Sequence, residues 1–319
     1  MDPANPLVTV ICLCYNHERF LEAAIESVAQ QSYRPVQIIV YDDASTDNSP
    51  AVIEQMKARL SGLQVVLSTQ NQGNCRAFNQ AYALARGEFI VDFSTDDVMH
   101  PKRLERQVDF FKQCHAHTGV VFTDATYMDD AGKPRYHHYQ HLLAHGLLKR
   151  IAVGDVFRDV VTTFYIASPT MMIRRSVLDQ LNGYDEDLAY EDFDLWVRSS
   201  KICEYAFLND RLTLIRKTST SLSTKAYRHG DKQLMSTYLV CRKAWTLCEN
   251  DGDRAAVSQR VRYELRHAAL SGNHKEGRLF WELLNTMQTP PPSSRFWNIM
   301  NVIRLPLTPL YHLYLRTRY

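Results

Sequence analysis

Within the first 115 residues the hydrophobic period switches repeatedly between a short apolar run and a helical stripe, a pattern that few folds accept. Residues 8–14 (VTVICLC) are β-branched and almost wholly apolar, the composition of a strand covered on both faces. Phe20, Leu21, Ala24, Ile25 and Val28 follow at helical spacing. Residues 36–41 (VQIIVY) read as a second strand. The next helix has Ser49 as its expected N-cap, Pro50 as its first residue, and Val52, Ile53, Met56 and Leu60 along one side. Residues 65–67 and 75–85 form a third strand–helix pair. A fourth joins residues 89–93 (FIVDF) to a helix opened by Pro101 that runs through Leu104, Val108 and Phe111. Such alternation predicts an α/β fold, a doubly wound and mostly parallel sheet with helices on both faces.

Beyond residue 115 the pattern loosens. Residues 120–123 and 169–173 read as strands, Asp129-Asp130-Ala131-Gly132-Lys133 as a hairpin turn, and residues 175–181 as a helix ended by Asn182-Gly183. Residues 193–201 are short and amphipathic, and 231–288 read as two or three helices. Pro290-Pro291-Pro292 reads as a stiff linker before an aromatic, leucine-rich and basic end. The expected organisation is an α/β domain over 1–228 that carries any site at its strand ends, a helical C-terminal region over 229–288, and a linker with a basic tail over 289–319.

Lysine and arginine (37) nearly balance aspartate and glutamate (35), a net charge of +2 that excludes a nucleic-acid binder of the histone kind. The charge is uneven, however. Residues 231–319 carry 13 basic against 7 acidic side chains, and from Leu283 onward there are four arginines and no acid. The opening Met1-Asp2-Pro3 lacks the features of an export signal, and no apolar stretch approaches the ~18–20 residues of a membrane span. Seven cysteines without a CxxC pair fit a reducing compartment, so the expected location is the cytoplasm, with the inner face of the plasma membrane as a further setting.

In a doubly wound sheet, ligands bind beyond the carboxyl ends of the strands. Polar residues cluster at those ends: Tyr15-Asn16-His17, Asp42-Asp43-Ala44-Ser45-Thr46-Asp47, Asn71-Gln72-Gly73-Asn74 and Ser94-Thr95-Asp96-Asp97. One such loop is ordinary turn chemistry, but four on one rim suggest a site. No glycine-rich phosphate loop occurs. The acidic pairs point instead to a hard divalent cation, Mn²⁺ or Mg²⁺, bridging carboxylate and diphosphate.

These ordered motifs resemble the inverting glycosyltransferases of family 2, of GT-A fold. VTVICLCYNHERFLEAAIESVAQQSY is similar to the family's opening strand, Tyr-Asn loop and first helix. IIVYDDASTDNS resembles its Asp-Asp-Gly-Ser-Thr-Asp loop, with Ala44 in the usual glycine's place. NQGNCRAFNQAYALARGEFI, FSTDDVMHPKRL and LNGYDEDLAYEDFDLWVR are similar to its later segments, the second holding the metal motif and the third ending in Glu-Asp-x-Asp-Leu-Trp-x-Arg.

The resemblance implies that Asp43 and Asp42 bind base and ribose with Tyr15 and Asn16, while Asn71 and Gly73 shape the wall. It implies that Asp96 contacts the metal beside Ser94 and Asp97, and that Asp192, paired with Glu191, is the catalytic base. The base would take a proton from an acceptor hydroxyl, which attacks the anomeric carbon opposite the leaving diphosphate. The implied donor is a UDP-sugar and the implied transfer hexosyl or N-acetylhexosaminyl. The implied acceptor is a glycan or lipid-linked hydroxyl in bacterial surface-polysaccharide synthesis. Ser94 replaces the family's first metal-motif Asp, and no late histidine stands near Ile215-Arg216-Lys217-Thr218-Ser219, where Arg216 or Lys217 are expected as diphosphate counter-charges.

Two other readings stand beside this one: a nucleotide-binding scaffold of the same fold with weakened catalysis, and a nucleotidyltransferase. His137, His138, His141 and His145 are grouped without an acidic or cysteine partner, which favours a flap or solvated helix over a zinc site. The tail FWNIMNVIRLPLTPLYHLYLRTRY reads either as a peripheral membrane contact beside anionic lipid or as an element packed on the protein's own surface or on a second subunit.

Overall fold

The computed structural model describes residues 5–218, 227–230, 232–305, 307–308 and 311. They form two compact units. One comprises Met1–Val156, Tyr165–Glu186 and Ser199–Thr218; the other comprises Phe157–Phe164, Asp187–Arg198 and Ser219–Tyr319.

The first unit is built on one sheet. In chain order its elements are β1 (Val8–Cys14), α1 (Leu21–Ala29), β2 (Val36–Asp42), α2 (Ser49–Arg59), β3 (Leu63–Leu67), α3 (Asn74–Tyr82), β4 (Phe89–Ser94), β5 (Val98–Met99), α4 (Arg103–Phe111), β6 (Thr118–Met128), β7 (Pro134–His137) and α5 (His138–Ala144). After α6 (Phe157–Thr162), which belongs to the second unit, come β8 (Met172–Arg174), α7 (Arg175–Leu181), α8 (Asp192–Ser199, mostly in the second unit) and β9 (Glu204–Arg216). The strand order is β3-β2-β1-β4-β8-β6-β9-β5, with β7 on β6. The run β3-β2-β1-β4 is parallel, as expected, and β6 pairs with β9 in parallel.

All seven residues of β1 are buried, because helices cover both faces of the sheet. Leu21, Ala24, Ile25 and Val28 of α1, with Leu104, Val108 and Phe111 of α4, pack into one cluster with Val8, Val10 and Cys12. The helix α3 lies against β1 and β2 with Phe78 and Ala81 buried. Truncating a fully buried side chain such as Ile25 to alanine costs about 2–5 kcal/mol. Burial also pushes the Cys14 thiol up to about 11, and both Cys12 and Cys14 act as small apolar core residues.

The structure departs from the sequence reading at the start of α2, at β9 and at Pro292, and Ser168–Thr170, partly read as strand, is a 3₁₀ turn ahead of β8. Ser49 lies inside α2 and Asn48 holds the cap position; the Ser49 hydroxyl instead accepts the His17 N–H at 3.0 Å. The thirteen-residue β9 carried no clear signal, because the polar Asn209-Asp210-Arg211 interrupts its apolar run. Those residues sit at an irregularity where the β6 pairing steps from Leu208 directly to Arg211. Finally, Pro292 opens a helix, a position where its missing N–H has no cost.

The second unit is helical. With α6 and α8 it contains α9 (Lys232–Thr246), α10 (Asp251–Ser271), α11 (His274–Met287) and α12 (Pro292–Ile303). Asn250 caps α10 by accepting the Asp253 N–H at 3.0 Å, and Gly272 ends it in the left-handed conformation. Along α10, Val257, Val261, Leu265 and Ala268 are buried where the helix packs on α6, α9, α11 and α12. Among the described residues, no helix is long and apolar enough to cross a membrane. The tail at 306, 309–310 and 312–319 lies outside the described residues, as does Ser219.

Candidate active site

The register of the parallel strands brings four polar loops to one edge of the first unit. Cys14 pairs with Asp42, Asp42 with Leu67 and Leu13 with Ser94, so β1 to β4 end level. The chain runs outward from β1 to β3 and then returns to the other side of β1 as β4, so strand order reverses between β1 and β4. The loops after β1 and β4 straddle that point, joined by His17 Nδ1 and the Thr95 hydroxyl at 2.9 Å.

On the β2 side, Asp43 is buried at the strand end. Its two carboxylate oxygens accept the backbone N–H groups of Gln72 and Gly73, each at 2.8 Å, and the Asn71 side chain donates to its carbonyl at 3.1 Å. Gly73 sits at φ +86°, which glycine adopts without a Cβ penalty. Asp43, Asn71 and Gly73 are therefore one assembly. Asp42 is also buried, but it turns back on its own loop, accepting the Ser45 N–H at 2.9 Å and hydroxyl at 2.5 Å.

Asn16 (φ +59°) locks this loop to the one after β1, its side-chain oxygen accepting the Thr46 N–H at 2.7 Å and its N–H reaching the Ser45 hydroxyl at 2.8 Å. Next to it, Tyr15 is exposed, its ring free to cover a flat ligand. Ala44 stands at φ +58°, a left-handed conformation in which its Cβ is strained, which accounts for the glycine expected there.

On the β4 side, the Ser94 hydroxyl donates to Asp96 Oδ1 at 2.5 Å. Asp97 is buried and accepts the Arg216 N–H at 2.8 Å, tying this loop to β9. Burial pushes the Asp97 carboxyl well above the usual range, and the neighbouring Asp96 pushes it further. The guanidinium of Arg216 donates to the carbonyls of Asp96, Asp129 and Asp130 and lies over the Phe20 ring. It braces the loops, a role that its sequence position did not reveal. Lys217 lies over the rings of Tyr127 and Tyr136. Asp92 accepts from the Tyr184 hydroxyl at 3.0 Å.

Among the described residues, no group of three His, Cys, Asp or Glu side chains could hold a metal ion. His138 is buried with Nε2 on the Tyr165 carbonyl, and His137 contacts Thr126 and Arg211.

Glu191 and Asp192 belong to the second unit, at the start of α8. The stretch around them is anchored to α9 at three points. The Ala189 N–H donates to Ser236 at 2.8 Å, the hydroxyls of Tyr190 and Thr237 are 2.6 Å apart, and Asp194 receives Lys243 at 2.6 Å. Asp194, almost fully buried, also receives Arg198 at 2.6 Å. Two residues earlier, Asp192 is half-buried and its side chain makes no hydrogen bond or ion pair among the described residues. One acid of the motif is thus structural and the other is uncommitted, which the residue types alone do not reveal.

Residues 9–181 match the model of "Glycosyl transferase family 2". EpsE of Bacillus subtilis (strain 168), named as a glycosyltransferase, is 29% identical over 248 residues, spanning 75% of this chain and 84% of that one. TuaG of the same organism, whose name places it in teichuronic acid biosynthesis, is 26% identical over 233 residues, 72% of this chain and 90% of that one. Among solved structures, residues 1–349 of S. aureus TarS in complex with UDP-GlcNAc superpose with a TM-score of 0.68 at 18% identity, covering 96% of this chain and 91% of that one. With its four parallel strands, the loops at their carboxyl edge and this match across more than half its length, the chain belongs to glycosyl transferase family 2 and is a glycosyltransferase of GT-A fold.

Proposed function

We propose that the chain transfers a hexosyl or N-acetylhexosaminyl group from a UDP-sugar to a hydroxyl of a glycan or lipid-linked acceptor, with inversion, in bacterial surface-polysaccharide synthesis. One observation carries the donor half: Asp43 and Asp96 stand at the level ends of β2 and β4, on either side of β1. Two strand spacings separate them by about 10 Å, room for a nucleoside at one end and its diphosphate at the other. Backbone N–H groups take two of the lone-pair directions of the Asp43 carboxylate and leave others for a base or ribose donor. Tyr15 and Asn71 flank that position. The UDP-GlcNAc complex of TarS supports the donor class, and the name of TuaG supports the setting.

The donor set on the β4 side is small. Asp96 and the Ser94 hydroxyl are hard oxygen ligands, which suit a Mg²⁺ or Mn²⁺ ion that takes its remaining ligands from phosphate and water. Such an ion, held by Asp96, would offset the charge of the leaving diphosphate. In this reading Asp192, beside Glu191, accepts the proton of the acceptor hydroxyl as the oxygen attacks the anomeric carbon. A single displacement by one base inverts that centre.

Family membership sets the nucleotidyltransferase reading aside. Ser94 in place of an acid favours the weakened scaffold as the second reading. Calorimetric titration with UDP and a donor-turnover assay with Mg²⁺ or Mn²⁺ separate the two. The proposal expects UDP binding, weakened at least about tenfold by Asp43→Asn, together with turnover. UDP binding without turnover under either metal supports the scaffold.

A further inference from the structure

The helix α12 keeps polar side chains at its most buried positions and large apolar ones in the open. Its two fully buried side chains are polar: Ser294 and Asn301 are each 3% exposed, with the partly buried Trp297 between them, and α12 packs on α10 and α11. Asn301 donates to the Trp297 carbonyl at 3.0 Å and the Leu265 carbonyl at 3.4 Å. Gly277 leaves room for its side chain, since a Cβ there would lie 2.3 Å from Asn301 Oδ1. Its outer side is apolar: Phe296, Ile299, Val302 and Ile303 are exposed by 50%, 52%, 71% and 53%. At about 100° per residue these four fall in one arc of the helix together with Arg295. A surface helix in water carries the opposite arrangement, apolar residues inward and polar residues outward.

We infer that α12 is a docking element for an anionic lipid surface, lying in the plane of the membrane interface. The charge pattern selects this occupant. From Leu283 to Tyr319 the sequence holds four arginines and no acid. Arg295 shares the apolar arc, and the exposed Arg304 follows the last turn. Basic side chains beside a shallow apolar face complement anionic headgroups. A second copy packed on the same face would set these arginines against their own kind. At twelve residues α12 is about 18 Å long, too short to span a bilayer. The face continues into a groove of about 550 Å³ lined by Trp281, Asn285, Gln288, Arg295, Asn298 and Ile299, with polar groups and space for a headgroup. Neither the donor site nor the acceptor is needed for this inference.

Co-sedimentation of the full chain with vesicles tests it. The protein pellets with phosphatidylcholine vesicles containing about 30% phosphatidylglycerol, stays in solution with phosphatidylcholine alone, and releases as salt rises. The double variant Ile299→Ser, Val302→Ser binds the anionic vesicles at least about tenfold more weakly, with an unchanged thermal midpoint because both side chains are exposed. Arg295→Gln weakens binding less and flattens its salt dependence. No binding of the wild type overturns the inference, as does equal binding by the double variant. So does sedimentation velocity showing a dimer that the double variant abolishes.

Discussion

Lys243 donates to the buried carboxylate of Asp194 at 2.6 Å and thereby fastens the start of α8 to α9, two residues beyond Asp192. Asp194 is 2% exposed at its side chain and Lys243 32%, so the pair is shielded on one side only. Lys243→Ala leaves Arg198 as a partner and is expected to lower unfolding free energy by about 1–3 kcal/mol in urea titration. If Asp192 is the base, the same change lowers kcat while leaving UDP affinity as it was. A loss of UDP affinity with kcat intact contradicts this positioning role.

Ala44 offers a test with the opposite sign. Its φ of +58° costs an alanine about 1–2 kcal/mol, and glycine recovers most of that at some entropic cost. Ala44→Gly is expected to stabilise the protein by about 0.5–1 kcal/mol, seen as a higher urea midpoint with an unchanged slope. A lower midpoint would show that the turn around Asp42 and Ser45 needs the methyl group.

His138 couples the fold to pH. Burial holds its imidazole below its ordinary value of 6.5, while the Tyr165 carbonyl and Asp124 pull the other way. The folded state therefore binds fewer protons than the unfolded chain just below pH 6.5. Stability from neutral His138 is therefore complete above that pH and is lost as pH falls through the lowered folded value. Thermal midpoints of the wild type and His138→Gln are expected to converge as pH drops from about 7.5 to 5. A gap that widens on acidification contradicts this.

The first four strand–helix units were legible in the sequence because each strand is buried on both faces and each helix on one, so period and composition agree. Val8 to Cys14 is an example. The strand β9 was hidden because Asn209 and Asp210 break the alternation where β6 and β9 fall out of register. At the site, Asp43, Asn71 and Gly73 could be grouped from loop position. The division of labour between Asp192 and Asp194 could not, since it depends on which carboxylate Arg198 and Lys243 reach, and Lys243 lies 49 residues away. The bracing role of Arg216 was hidden for the same reason.

In the proposed reaction Asp43 serves the donor nucleotide and Asp192 removes the acceptor proton. Asp192→Asn keeps the shape of the side chain and removes its basicity. Its UDP dissociation constant and its kcat for sugar transfer, measured on the same preparation, separate the two roles. The expected result is UDP affinity within about twofold of the wild type and a kcat lower by about 10²–10⁴-fold. Transfer at the wild-type rate by Asp192→Asn would contradict it.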